Sequence, residues 1–207
     1  MKRLVVTAIR PDPSHIAAAV DVLRAGGVVA FPTDTLYGLA VDPRRHDAVE
    51  RLFQLKGRDV TAAVPLIAAN VDQALGAATF GEKERRAAQA FWPGPLSIVA
   101  PANPSVAPNA LAGGTTVAIR VPAHVVARQL AERFGFPITA TSANRSGEPA
   151  ADSADAVAAA LSDVDLLLDA GRAPGGAPST IISFNAGELV LLRAGAVPWE
   201  RVLESLQ

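Results

Sequence analysis

The sequence predicts an α/β domain on a twisted mixed parallel/antiparallel sheet flanked by helices. Two observations carry this. Amphipathic helical stretches alternate with short apolar runs along the whole chain, several joined by connections long enough for parallel crossovers. Near the end, Asn185-Ala186-Gly187 between two apolar runs signals an antiparallel hairpin. With 207 residues, 50% of them hydrophobic and 19% charged, the chain is read as one domain, residues 1–207, with a sizeable core.

The elements follow in order. Residues 14–25 form a helix with Ile16, Ala19, Val20 and Leu23 on one face, stopped by Gly26 and Gly27. Residues 28–31 form a buried strand that Pro32 ends, because proline cannot donate to a ladder. A helix over 45–55 buries Val49, Leu52 and Phe53, and 64–68 is a strand. The helix over 82–91 has a charged outer face and halts at Trp92-Pro93-Gly94-Pro95. Strands follow over 96–100 and 116–121, then a helix over 123–134 closed by Gly135, and a strand over 138–141. The Ala-rich 153–161 is helical. A strand over 164–168, the hairpin of 181–184 with 188–192, and a terminal helix over 198–206 complete the chain. Residues 101–115 are the longest stretch without an element and are read as a mobile loop, a candidate lid.

Composition excludes several chemistries. Lys plus Arg is 19 against Asp plus Glu 20, so a globally basic nucleic-acid binder is excluded, though a local basic cleft is not. Without cysteine there is no disulfide, thiolate metal site, iron–sulfur cluster or cysteine nucleophile. The three histidines, His15, His46 and His124, lack metal-ligand spacing and read as structural. No targeting segment and no apolar run of membrane-spanning length is visible, so the expected compartment is the cytoplasm, with no membrane partner.

Four polar islands interrupt the apolar pattern, each at an element end where open α/β sheets hold ligands. Phe31-Pro32-Thr33-Asp34-Thr35-Leu36-Tyr37-Gly38-Leu39 is either a capped turn or a ligand loop. Lys56-Gly57-Arg58 either complements a helix dipole or clamps phosphate, Lys as a point charge and Arg as a fork. Thr139 to Gly147 packs hydroxyl and amide side chains after a buried strand, a surface loop or a cradle for phosphate or a nucleobase. Arg120 and Arg193, at strand ends near Ser179 and Thr180, need anionic partners, an internal aspartate or a ligand. There is no P-loop, no G-x-G-x-x-G, no nucleophile elbow and no histidine beside a candidate serine. That inventory suits binding an anionic nucleotide and stabilising charge by position, not covalent catalysis.

These motifs identify a resemblance. Gly-Gly-Val-Val-Ala-Phe-Pro-Thr-Asp-Thr-Leu-Tyr-Gly-Leu at 26–39, Lys56-Gly-Arg58, Trp92-Pro-Gly-Pro95, Val117-Ala-Ile-Arg-Val-Pro122, Thr141-Ser-Ala-Asn144, Ser179-Thr-Ile181 and Leu192-Arg193 stand in order. The sequence resembles the YrdC/TsaC family of L-threonylcarbamoyladenylate synthases over roughly 16–194, in the short, single-domain form.

The resemblance implies a domain with a concave ligand cleft and a nucleotidyltransferase reaction. L-Threonine, bicarbonate and ATP, with Mg²⁺ carried on the ATP phosphates, would give threonylcarbamoyl-AMP, pyrophosphate and water. A downstream tRNA threonylcarbamoyl-transferase complex would place the group on adenosine 37 of tRNA. It implies threonine binding by Thr35, Arg120, Ala140 (through its backbone) and Ser179. It implies ATP binding by Lys56, Arg58, Thr116, Ser142, Asn144 and Arg193, with Lys56 and Arg58 as the catalytic cations. Ala69 stands where many relatives carry a histidine near threonine, Asp59 where proline is common, and Ala150 where some carry serine. A competing reading is an RNA-binding or ribosome-associated module, with weak tRNA binding in the same cleft. A third, a hydrogenase-maturation carbamoyl-adenylate domain, is disfavoured by the short chain and the missing cysteines.

Overall fold

The computed structural model describes residues 1–57 and 63–206. In chain order these form β1 (Lys2–Val5), α1 (Pro13–Arg24), β2 (Val29–Phe31), β3 (Gly38–Ala40), α2 (His46–Lys56), β4 (Leu66–Ile67), α3 (Val71–Leu75) and α4 (Glu82–Phe91). Then come β5 (Leu96–Pro101), a 3-10 turn (Pro108–Leu111), β6 (Thr116–Arg120), α5 (Val125–Phe134), β7 (Ile138–Thr139) and β8 (Thr141–Ser142). The chain closes with α6 (Ala154–Ala160), β9 (Leu166–Asp169), β10 (Thr180–Asn185), β11 (Glu188–Arg193) and α7 (Trp199–Glu204).

The expected single mixed sheet is two mixed sheets. One runs β1-β9-β2-β3-β8 and the other β11-β10-β5-β6-β4-β7. The split occurs inside the run read as one strand over 138–141. Thr139 pairs with Leu66 in the second sheet, whereas Thr141 pairs with Leu39 in the first. Ala140 is the crossing point, and its N–H donates to the Pro65 carbonyl at 2.8 Å. Fully buried Thr139 fastens the seam: its hydroxyl accepts from the Val41 N–H at 2.8 Å and donates to the Leu39 carbonyl at 3.2 Å. A buried backbone group without a partner is costly, so a second-sheet hydroxyl that satisfies two backbone groups at β3 of the first sheet holds the junction.

The helices cover the outer faces. Asp12 caps α1 by accepting from the Ser14 N–H at 2.8 Å, and Pro13 sets its first turn. The predicted stripe Ile16, Ala19, Val20 and Leu23 is buried against Val126, Ala127, Leu130 and Ala131 of α5. Each large side chain buried there contributes about 1.5–3 kcal/mol. The hairpin turn holds positive φ at Ala186 (49°) and Gly187 (82°), the pairing that matches strand twist.

Three short elements escape the sequence reading. β1, β3 and α3 are each five residues or fewer, too short to show a period. Residues 101–115 are not a loose loop. The Ala107 N–H donates to the Pro43 carbonyl, Ala110's carbonyl accepts from the Val64 N–H, and Asn109 donates to the His46 carbonyl. The segment packs on α2 and lines no part of the main cavity, so the lid assigned to it is corrected to a bracing element. Among the described residues no helix is long and apolar enough to cross a membrane.

Candidate active site

Period-two alternation in the second sheet creates the site. Leu96, Ile98, Val117, Ile119 and Ile182 point into the core, so Ser97, Ala118, Arg120 and Ile181 point the other way. The first sheet faces them with Thr33, Thr35, Gly38, Thr141 and Ser142, and Ala140 lies at the seam between. The partly open cavity measures about 550 Å³, within the range of nucleotide and drug-sized ligands.

Gly38 permits close packing within the first sheet, between Phe31 of β2 and Thr141 of β8. A methyl group there would press on the Phe31 ring at 3.2 Å and lie 3.5 Å from the Thr141 carbonyl. Thr33 donates to the Leu36 carbonyl at 2.7 Å and accepts from the Thr35 N–H at 3.1 Å. Its one proton is therefore committed, so in the 3.1 Å contact between the two hydroxyls Thr35 donates to Thr33. The Thr35 oxygen keeps its lone pairs for a donor in the cavity.

Two guanidinium groups face the same space. Arg120 is buried and pairs with Asp34 at 2.6 Å. Arg193 donates twice to the Ser179 carbonyl, at 2.7 and 3.1 Å, and once to the Ser179 hydroxyl at 3.0 Å. The Ser179 hydroxyl in turn lies 3.0 Å from that of Ser97. Burial first, and then the like charge of Arg120, hold the Arg193 guanidinium below its usual value. Two cations facing one cavity, only one of them paired with a carboxylate, give it the chemistry of an anion site.

The sequence-predicted residues divide. Thr35, Arg120, Ala140, Ser142, Ser179 and Arg193 all line the cavity. Lys56 does not. Its buried ammonium donates to the carbonyls of Ser142 and Asn144 and to Asn144 Oδ1, the last two at 2.8 and 3.2 Å. Asn144 is likewise committed to its own loop, accepting from Ser142 at 2.5 Å and donating to the Arg145 and Glu148 carbonyls. These two residues build the 142–148 loop instead of facing the cavity. Thr116 shares the Arg120 face of β6 but sits about 13 Å along the strand, four residues at the usual rise. Arg58 and Asp59 lie outside the described residues. Ala150 lines the cavity, whereas Ala69 packs against the apolar cluster shared by α1 and α5, with its N–H on Gln73.

Sequence reasoning missed Ser97 and underused Thr33. Ser97 had a legible signal, a hydroxyl between Leu96 and Ile98 in a buried strand. Tyr37 is structural: its hydroxyl donates to the Gly171 carbonyl at 2.7 Å and accepts from the Ala170 N–H at 3.1 Å. His124 opens α5 as expected, and burial pushes its imidazole down while Asp34 opposes the shift.

Two mixed sheets hinged at Ala140, with a paired-guanidinium cavity lined by hydroxyls, define an α/β protein built to hold a small anionic ligand. The chain belongs to the Sua5/YciO/YrdC family, whose profile, described as telomere recombination, matches residues 21–195. It is 38% identical over 196 residues to a threonylcarbamoyl-AMP synthase of Pyrococcus abyssi, covering 93% of this chain and 57% of that protein. A synthase of the same name from Chromohalobacter salexigens is 39% identical over 175 residues, 84% of this chain and 95% of that one. The crystal structure of P. abyssi Sua5 complexed with L-threonine superimposes with a TM-score of 0.95 at 35% identity, over 100% of this chain and 61% of that one. The chain thus spans little more than half of the Pyrococcus protein and nearly all of the Chromohalobacter one.

Proposed function

We propose that this protein is a threonylcarbamoyl-AMP synthase, converting L-threonine, bicarbonate and ATP to threonylcarbamoyl-AMP, pyrophosphate and water. One observation carries the reading. Arg120 and Arg193 converge on a cavity beside the Thr35 and Ser179 hydroxyls. The likeness to a Sua5 solved with L-threonine supports it.

In this account the threonine carboxylate lies on the Arg120 fork, the geometry guanidinium offers best. The lone pairs of Thr35 accept from the threonine amine or hydroxyl, and the Ala140 backbone and Ser179 close the pocket. The amine adds to the carbon of bicarbonate with loss of water. An oxygen of the resulting N-carboxylate then attacks the α-phosphorus of ATP. The new O–P bond forms as the bond to the bridging oxygen breaks, and pyrophosphate leaves.

No side-chain nucleophile is needed. The protein's contribution is alignment, plus positive charge against two mutually repelling anions. Arg193 and Ser142 serve the nucleotide, and a ligand extended along the β6 face reaches Thr116. Lys56 and Asn144 act by shaping the Ser142 loop, and Arg58 is assigned to phosphate on the resemblance alone. On this reading magnesium enters as part of the MgATP substrate, as the resemblance implies. The product is a mixed anhydride, suited to transfer its acyl group in the cytoplasm to tRNA through a separate complex.

The test is pyrophosphate release from MgATP and bicarbonate with L-threonine, L-serine or no amino acid. Release that requires both threonine and bicarbonate, with the mass of threonylcarbamoyl-AMP, is expected. Release indifferent to threonine, or none, would overturn the proposal, and salt-dependent tRNA binding would then favour a binding module.

A further inference from the structure

We infer that Asp34 is a positioning residue that aims Arg120 at the amino-acid substrate and separates the work of the two guanidinium groups; this rests on the threonine and ATP reading above. Asp34 does not line the cavity, although its neighbours Thr33 and Thr35 do. Its carboxylate turns behind Arg120 and joins two elements. One oxygen takes Arg120 Nη1 at 2.6 Å, and the other accepts from the Ala123 N–H at 3.1 Å, in the turn that leads into α5. The strand end that carries Arg120 and the turn beyond it are thereby braced by a single side chain.

The consequence is chemical as well as mechanical. A guanidinium has five N–H donors, and the bond to Asp34 uses one at a fixed angle. The rest of the fork is held in place for a carboxylate. The pair is nearly buried, 8% and 12% exposed, so Arg120 without Asp34 would be an uncompensated charge beside Arg193. Asp34 therefore holds Arg120 as an orienting group close to local neutrality. Arg193, held by Ser179 oxygens, keeps its charge for phosphate.

Asp34→Asn separates this from general damage, because the two substrates respond differently. Losing the anchor misaims Arg120, so threonine binds worse. Losing a negative charge beside the cavity leaves ATP binding unchanged or tighter. Initial rates of pyrophosphate release, with each substrate titrated against saturating others, should show KM for L-threonine raised about tenfold or more. KM for ATP should stay within about twofold or fall. In an Arg120→Ala background, Asp34→Asn should add little further loss for threonine, since it acts through Arg120. A threonine KM within about twofold of the parent, parallel loss for both substrates, or full additivity with Arg120→Ala would overturn the inference. An unaltered protein that fails to use threonine would overturn the functional reading itself. Threonine-dependent activity with an indifferent Asp34→Asn variant would overturn this inference alone.

Discussion

Arg120 and Arg193 reach into one cavity from the same sheet, yet among the described residues the ion pair falls to Arg120 alone, through Asp34 at 2.6 Å. Arg193 is held by neutral oxygens of Ser179 instead. Burial and the like charge of Arg120 both oppose its ionised form, so an anionic ligand relieves it. Arg193→Ala should therefore weaken binding of a non-hydrolysable ATP analogue by about 1.5–3 kcal/mol, roughly 10- to 150-fold, as loss of a charged hydrogen-bonding group does. Calorimetry on the variant checks this, and unchanged affinity would remove Arg193 from the nucleotide site.

Lys56 should matter to the loop before it matters to the substrate. Replacing its ammonium by an apolar group leaves the Ser142 and Asn144 carbonyls and Asn144 Oδ1 without that donor. Lys56→Met is expected to cost about 2–3 kcal/mol, a melting temperature lower by about 5–10 °C for a chain of this size. A normal melting curve combined with lost ATP binding would instead place Lys56 in direct contact with phosphate.

Tyr37 offers a direct titration, because it is the chain's one tyrosine. Burial is the first cause that pushes its phenol up to about 12. A folded-state pKa above the unfolded value near 10 means the contribution is fully present below about pH 10 and is lost as pH rises through about 12. Tyrosinate absorbance should therefore appear late in the native protein, together with falling thermal stability. Tyr37→Phe should lose about 1–2 kcal/mol at neutral pH by unpairing the Gly171 carbonyl and Ala170 N–H. It should also flatten the decline between about pH 10 and 12. Ionisation near pH 10 in the folded protein would contradict the buried placement.

Much of the architecture was legible wherever a period had room to repeat. The α1 stripe of Ile16, Ala19, Val20 and Leu23 and the bounds of α4 follow from the sequence pattern directly. What stayed hidden depends on pairing between distant segments. Nothing local distinguishes Thr139 from Thr141, yet one belongs to each sheet because Leu66 and Leu39 claim them separately. The site residues were visible as polar groups at strand ends, but their division of labour was not. Lys56 and Arg193 are both cations at element ends, and only the folded packing shows that Lys56 holds Ser142 and Asn144 while Arg193 faces the cavity. Asp34 likewise reads as a turn former until β6 brings Arg120 against it.

The central claim is that Arg120 holds the carboxylate of threonine in this cavity. The most direct measurement is the pair of Michaelis constants for Arg120→Ala, for L-threonine and for ATP, from pyrophosphate release at saturating bicarbonate. A threonine KM raised by about two orders of magnitude, with the ATP KM within a few-fold, is the predicted result. An equal rise in both, or no rise for threonine, would contradict it.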